Sequence, residues 1–142
     1  MKVNIREVTM KDFERVSELC QELIGNPLNE RIIYFKRALS SKNCIPLVAE
    51  IEGDIMGFLD IWSFPDVGHD GTLGIITNFI VTKKYREMGI GNKLIEESVK
   101  MARKEKFIEF HVWTEFKNEN AIKIYKKHGF TNESLLLERE FH

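Results

Sequence analysis

The way hydrophobic periodicity changes along this chain predicts a mixed α/β sheet with element order β-α-α-β-β-β-α-β-α-β, read as a single domain over residues 1–142. Three observations carry that prediction. Apolar residues recur at helical spacing from Met10 to Ile24. β-rich runs separated by short turn segments fill the stretch from Ile45 to Val81. A strand, a glycine loop, a long amphipathic helix and another strand then follow in succession. Hairpins make antiparallel neighbours and the one crossover makes a parallel pair, which separates this sheet from a doubly wound parallel one.

Lys2 to Val8 alternates, with Val3, Ile5 and Val8 against charged neighbours, and gives a half-buried first strand ended by Thr9. Thr9 and Asp12 stand at capping-box spacing. Met10, Phe13, Val16, Leu19, Cys20, Leu23 and Ile24 then repeat as one helical face as far as Gly25. Pro27 opens a second helix in which Ile32, Phe35 and Leu39 share a side, ending near Ser40 and Ser41. PLVAEI and IMGFLDIW, joined at EGD, form a hairpin, and Phe64 to Gly71, with Pro, Asp and two Gly, reads as a loop. Thr72 to Val81 is the central strand. Gly89 to about Lys104 is helical with Ile90, Leu94, Ile95, Met101 and Ala102 inward, and Phe107 to Trp113 is again a strand. Asn118 to His128 makes the last helix, capped by Gly129, before a final strand from Thr131 to Glu138.

Bulk properties narrow the function classes. The chain carries 43% hydrophobic and 30% charged residues with a formal net charge of −1, so it offers no basic footprint for nucleic acid or an anionic membrane. No run of about 18 apolar residues is present, and MKVNIREV is not a secretory leader. Cys20 and Cys44 stand apart without a CxxC, as core or free thiols of a reducing compartment, which predicts a cytoplasmic protein. No metal-ligand spacing is apparent.

The chemistry concentrates in IVTKKYREMGIGNKL. A buried strand ends at Val81, a basic loop follows, and Gly89 and Gly91 open a long helix. Amides at a helix start lack internal partners and lie at the positive end of the macrodipole, and glycine allows close approach, so the segment suits a phosphate. Asn92 and Lys93 stand where a Walker loop needs Lys and Ser or Thr, and Leu94 stands where a dinucleotide fingerprint needs Gly.

Arg86-x-x-Gly89-x-Gly91 resembles the acetyl-CoA pyrophosphate loop of the GNAT superfamily of N-acetyltransferases, and Asn118, Ala121, Tyr125, Gly129 and Phe130 resemble its C-terminal signature in register. The resemblance covers essentially the whole chain. It implies that main-chain groups of Phe79, Ile80 and Val81 hold the pantetheine arm as an added strand would. It further implies that Arg86 and the amides of Glu87, Met88, Gly89, Ile90, Gly91 and Asn92 cradle the pyrophosphate. Asn118 and Ala121 would line the same cofactor, with Asn118 holding pantetheine or capping the last helix, and Lys126 and Lys127 would lie near the adenine end. Tyr125 matches the general acid that protonates the departing thiolate.

The implied reaction is direct attack of a neutral amine on the thioester in a ternary complex, with acetyl-CoA as cosubstrate and no metal. A peptide N-terminus and a small-molecule amine such as a polyamine or aminoglycoside are both open as acceptors, and a homodimer is allowed. A non-catalytic acyl-CoA sensing module is the alternative reading. One departure supports it: Ile75, Ile76, Thr77 and Asn78 stand where many relatives place a Glu or His base. Asp60, His69, His111 and Glu115 are the nearby substitutes, as is a water held by Thr77 or Asn78, although His111 in its apolar strand reads as a core residue.

Overall fold

A computed structural model describes residues 2–25, 30–85 and 88–141. Five strands, β1 (Val3–Glu7), β2 (Cys44–Ile51), β3 (Asp54–Asp66), β4 (Gly71–Val81) and β5 (Glu109–Val112), stand in the order β1-β2-β3-β4-β5. The first three pairings are antiparallel and the β4 to β5 pairing is parallel, as hairpins and a single crossover require. The helices are α1 (Phe13–Ile24), α2 (Arg31–Ser40), α3 (Ile90–Lys104) and α4 (Glu119–Lys127).

Period-two alternation sends the strand side chains to two cores. On one face Leu47, Ala49, Leu59, Ile61 and Ile76 pack with Ile90, Leu94 and Ile95 of α3 and Tyr125 of α4. On the other, Val48, Phe58 and Ile80 pack with Val16 and Leu19 of α1, joined by Phe35 and Leu39 of α2. Full burial of each Leu or Ile contributes about 1.5–3 kcal/mol, so the two layers clamp the sheet from both sides. Ahead of α1, the Asp12 carboxylate accepts the Thr9 N–H at 2.8 Å and both terminal nitrogens of Arg6, at 2.9 and 3.0 Å. These contacts hold the Asp12 carboxyl below its usual range, the Arg6 bond contributing most.

Several expectations need correction. Phe64, Pro65 and Asp66 belong to β3, paired with Leu73, Thr72 and Gly71, and the turn is confined to residues 67–70. Pro65 tolerates this position because a strand end can spare a donor. Met10, Leu23 and Ile24 stay 44–60% exposed, so the inward face of α1 is narrower than its apolar pattern. The strand expected at Thr131–Glu138 is absent: residues 131–141 carry no regular structure, with Leu135, Leu136 and Leu137 61–82% exposed. A β-rich run becomes a strand only where a neighbouring ladder receives it, and β5 ends the sheet without doing so. Pro27 lies outside the described residues.

Candidate active site

β4 and β5 pair only between Leu73–Ile76 and Glu109–Val112, and the last bond, Trp113 N–H to the Ile76 carbonyl, is already 3.4 Å long. β4 nevertheless continues to Val81, so among the described residues its second half has β3 on one side and no strand on the other, which leaves a gap between β4 and β5 beyond Ile76. Thr82 donates its N–H to Met56 at 2.9 Å, which fixes the alternation of the strand's peptide groups. Ile80 faces β3, whereas Phe79 and Val81 turn toward the gap. Of the three residues expected to hold an extended arm by their main chain, Ile80 is therefore turned the wrong way, and its side chain is buried in the α1 layer. The Phe79 ring packs into the α3 layer, 5.7 Å from the Tyr125 ring.

The strand is kinked where the gap begins. Asp60 stands opposite Asn78 and Ile61 opposite Ile76, which leaves Thr77 as an extra residue, a β-bulge. Asp60, 7% exposed, accepts the Thr77 hydroxyl at 2.6 Å, the Asn78 N–H at 2.9 Å and the Asn78 side-chain amide at 3.0 Å. Burial pushes its pKa up, against the pull of these donors. With both oxygens engaged, Asp60 is poorly disposed to take a substrate proton.

At the far end of the gap α3 begins. Gly89 caps it with φ +79°, a left-handed conformation that costs other residues roughly 1–2 kcal/mol. Nothing lies within 4 Å of where its Cβ would stand. The first helical bond runs from Lys93 N–H to the Gly89 carbonyl at 3.1 Å, so the amides of Ile90, Gly91 and Asn92 precede it and have no intrahelical acceptor. Gly91 differs from the expectation of ligand approach. It is buried, and a Cβ there would come 3.0 Å from the Phe79 ring, so its bareness serves helix-on-strand packing. Asn92 shares a 3.0 Å hydrogen bond with His128, tying α3 to the end of α4. Met88 is exposed, while Arg86 and Glu87 lie outside the described residues.

These two glycines make separable predictions. Gly89→Val forces the loop out of its left-handed turn and should weaken coenzyme A binding in calorimetry by about tenfold, since roughly 1.4 kcal/mol is a factor of ten. Gly91→Val should instead lower the melting temperature by pushing on Phe79. Unchanged affinity in the Gly89 variant would remove the loop from the binding site.

α4 delivers Tyr125 to the same gap. Its ring is 6% exposed, between Phe79 and Phe130, and burial raises the phenol to about 12. Among the described residues its hydroxyl makes no hydrogen bond. Ala121 packs against the same core. Asn118 occupies the N-cap of α4, where its carbonyl accepts the Ile122 N–H at 3.0 Å, but its exposed side chain makes no capping bond, which leaves the amide available. Lys126 pairs with Glu133 at 2.9 Å.

The remaining base candidates differ in surroundings. His111 is no core residue: its side chain is 41% exposed, bonded to Glu109 at 2.9 Å, and it stands in register with Ile75. Phe110 and Val112 pack into the α3 layer, so alternation turns His111 to the α1 face. Glu109 also pairs with His69 at 3.1 Å, and His69 with Asp66, a chain not legible in the sequence because its members lie on different elements. Hydrogen bonding to Asp66 raises the pKa of the exposed His69. Glu115 is exposed beside Lys117. Burial raises both thiols, Cys44 to about 12, which leaves them protonated and unsuited to nucleophilic attack. Among the described residues no group of three His, Cys, Asp or Glu is arranged to hold a metal, and no helix is long and apolar enough to cross a membrane.

The β4–β5 ladder ends at Ile76, the first amides of α3 lack intrahelical acceptors, and the Tyr125 ring packs on Phe79 beyond that point. Residues 5–130 match the model of the Acetyltransferase (GNAT) family. An N-alpha-acetyltransferase of Sulfurisphaera tokodaii is 29% identical over 93% of this chain and 82% of its own length. The L-amino acid N-acetyltransferase AaaT of Escherichia coli K12 is 27% identical over 91% of this chain and 83% of its own length. A solved structure described as a transcriptional regulator from Bacillus halodurans C-125 superposes with a TM-score of 0.90 at 23% identity, over 99% of this chain and 100% of that one, and so shares the fold.

Proposed function

This chain belongs to the GNAT acetyltransferase family and is an acetyl-CoA-dependent N-acetyltransferase, and on that premise we propose that its acceptor is an α-amino group, of a peptide N-terminus or a free amino acid. The observation that carries the activity is the divergence of β4 from β5 beside Tyr125. The two named relatives act, by their names, on α-amines, and this supports the acceptor class.

In this reading the peptide group of Phe79 holds the pantetheine arm, the amides from Met88 to Asn92 together with Arg86 and Glu87 receive the pyrophosphate, and Asn118 contacts the arm from α4. Acetyl-CoA supplies the activated acyl group. The chain's residues orient it, polarise the carbonyl through the strand amides and offer a proton at the Tyr125 oxygen. The test follows free thiol release from acetyl-CoA with tetrapeptides, free amino acids, polyamines and an aminoglycoside as acceptors. Turnover confined to the α-amines is expected; turnover confined to polyamines or the aminoglycoside would overturn the assignment.

We also propose a cytoplasmic homodimer. The thiols of Cys20 and Cys44 are free, in keeping with a reducing compartment. Leu135, Leu137 and Phe141 are 74–83% exposed on the tail beyond α4, an apolar surface that a second copy could cover. Light scattering should report a dimer that Leu135→Asp with Leu137→Asp converts to a monomer. A monomeric wild-type chain would refute this.

A further inference from the structure

We infer that Asp60 is a positioning residue: it holds the β-bulge at Thr77, and through the bulge it aims the Phe79 peptide group into the β4 to β5 gap beside Tyr125. The inference rests on the acetyltransferase activity and is independent of the acceptor class.

Strand parity makes the case. In a regular strand, residues three apart point to opposite faces. Ile76 and Phe79 nevertheless both pack into the α3 layer, and the single extra residue at Thr77 is what permits it. If the bulge relaxed, everything beyond it would slip by one position. The Phe79 ring would leave Tyr125 for the α1 layer, and its peptide would turn from the gap toward β3.

A bulge leaves an amide without a ladder acceptor and persists only if something else receives it. Asp60 stands directly opposite Asn78, near enough for a short side chain to take the Asn78 N–H and, at 2.6 Å, the Thr77 hydroxyl. Its second oxygen takes the Asn78 side-chain amide, which locks the residue after the bulge. Among the described residues no cation pairs with this buried carboxylate. It is held by neutral donors clustered on the kink itself. A carboxylate so engaged shapes the strand and does not take a proton from substrate.

Two substitutions separate a pin from a base. Asp60→Asn keeps an acceptor for the Asn78 N–H, and the Thr77 hydroxyl and Asn78 amide can reorient to suit the new donor, so kcat and coenzyme A affinity should stay within about threefold of wild type, as for a neutral hydrogen-bond replacement. Asp60→Ala should lower kcat by about ten- to thirtyfold, less than the full cost of a lost carbonyl donor. It should also weaken coenzyme A binding in calorimetry and speed amide exchange at Asn78 in the free protein. Should Asp60→Ala fail to fold, Thr77→Val removes only the 2.6 Å bond and should give a smaller loss of affinity with faster exchange at Asn78. Wild-type kcat and affinity in Asp60→Ala, or unchanged exchange and affinity in Thr77→Val, would overturn the pin. So would an Asp60→Asn variant as slow as Asp60→Ala with Asn78 still protected, because that result would make Asp60 the base.

Discussion

Tyr125→Phe should lower kcat by about 10- to 100-fold or more while leaving coenzyme A affinity and the melting temperature almost unchanged. The ring carries the packing against Phe79 and Phe130, and Phe keeps it. The hydroxyl makes no bond within the described residues, so its removal breaks no hydrogen bond among them. Burial holds the phenol at about 12, some 3.5 units above an ordinary thiol near 8.5, so complete proton transfer to a thiolate would be uphill by about 5 kcal/mol. The hydroxyl therefore acts chiefly as a donor to the developing negative charge, and a charge-assisted bond of that kind is among the stronger ones. Two pH consequences follow. The proton stays on through the whole working range, so Tyr125 contributes no falling limb to the rate near neutrality. A folded pKa raised above the unfolded value near 10 contributes stability that is complete below pH 10 and is lost as pH rises toward 12. Base titration of wild type and Tyr125→Phe by circular dichroism should show that decline in the former alone. Wild-type turnover in the variant would reduce Tyr125 to a packing residue.

What the sequence disclosed and what it withheld divide along physical lines. The α3 and α4 periodicities, the strand ending at Val81, the helix from Ile90 to Lys104, and Gly129 just past the end of α4 all express local rules and stand in the structure, while Arg86 and Glu87 of the loop between them lie outside the described residues. Phe64–Asp66 departs from the loop expectation because Pro and Asp, breakers inside a strand, are both tolerated at a strand end. The final strand failed because β-propensity at Leu135–Leu137 needs a partner that sequence does not contain. In the site, Tyr125 was legible through its register with Asn118 and Gly129. Gly91 was visible as a glycine but not as a packing partner of Phe79, and the bulge at Thr77 was invisible, since it depends on a carboxylate 17 residues away on β3. His111 departs from the core expectation that its apolar strand suggests, because alternation puts it on the opposite face from Phe110 and Val112, where no described helix covers it fully. An Asp in the middle of the apolar run IMGFLDIW was the one signal that could have pointed to the kink.

Acceptors with low-pKa amines should be preferred over lysine-like amines by about two orders of magnitude in kcat/KM at pH 7. Ile75 to Asn78 supply no carboxylate or imidazole to the gap, Asp60 is closed by its own hydrogen bonds, and Glu115 is exposed beside Lys117. If the half-exposed His111 and the surface His69 take no part, the amine must arrive neutral or lose its proton to water. An α-amino group near 8 and a lysine side chain near 10.4 differ by roughly 2.4 units, or about 3.3 kcal/mol of deprotonation and about 250-fold in neutral fraction. An enzyme that leaves this cost to the substrate passes the whole difference into kcat/KM, whereas one with its own base recovers part of it. The measurement compares kcat/KM against pH for two accepted amines, a peptide and its analogue with a fluorinated residue that lowers the α-amine pKa. The rising limb should move with the amine. A limb fixed at one pH for both, and abolished by His111→Asn with Glu109 intact, would instead make His111 the base, since it alone among the four candidates is half-exposed on the α1 face in register with the strand that opens the gap.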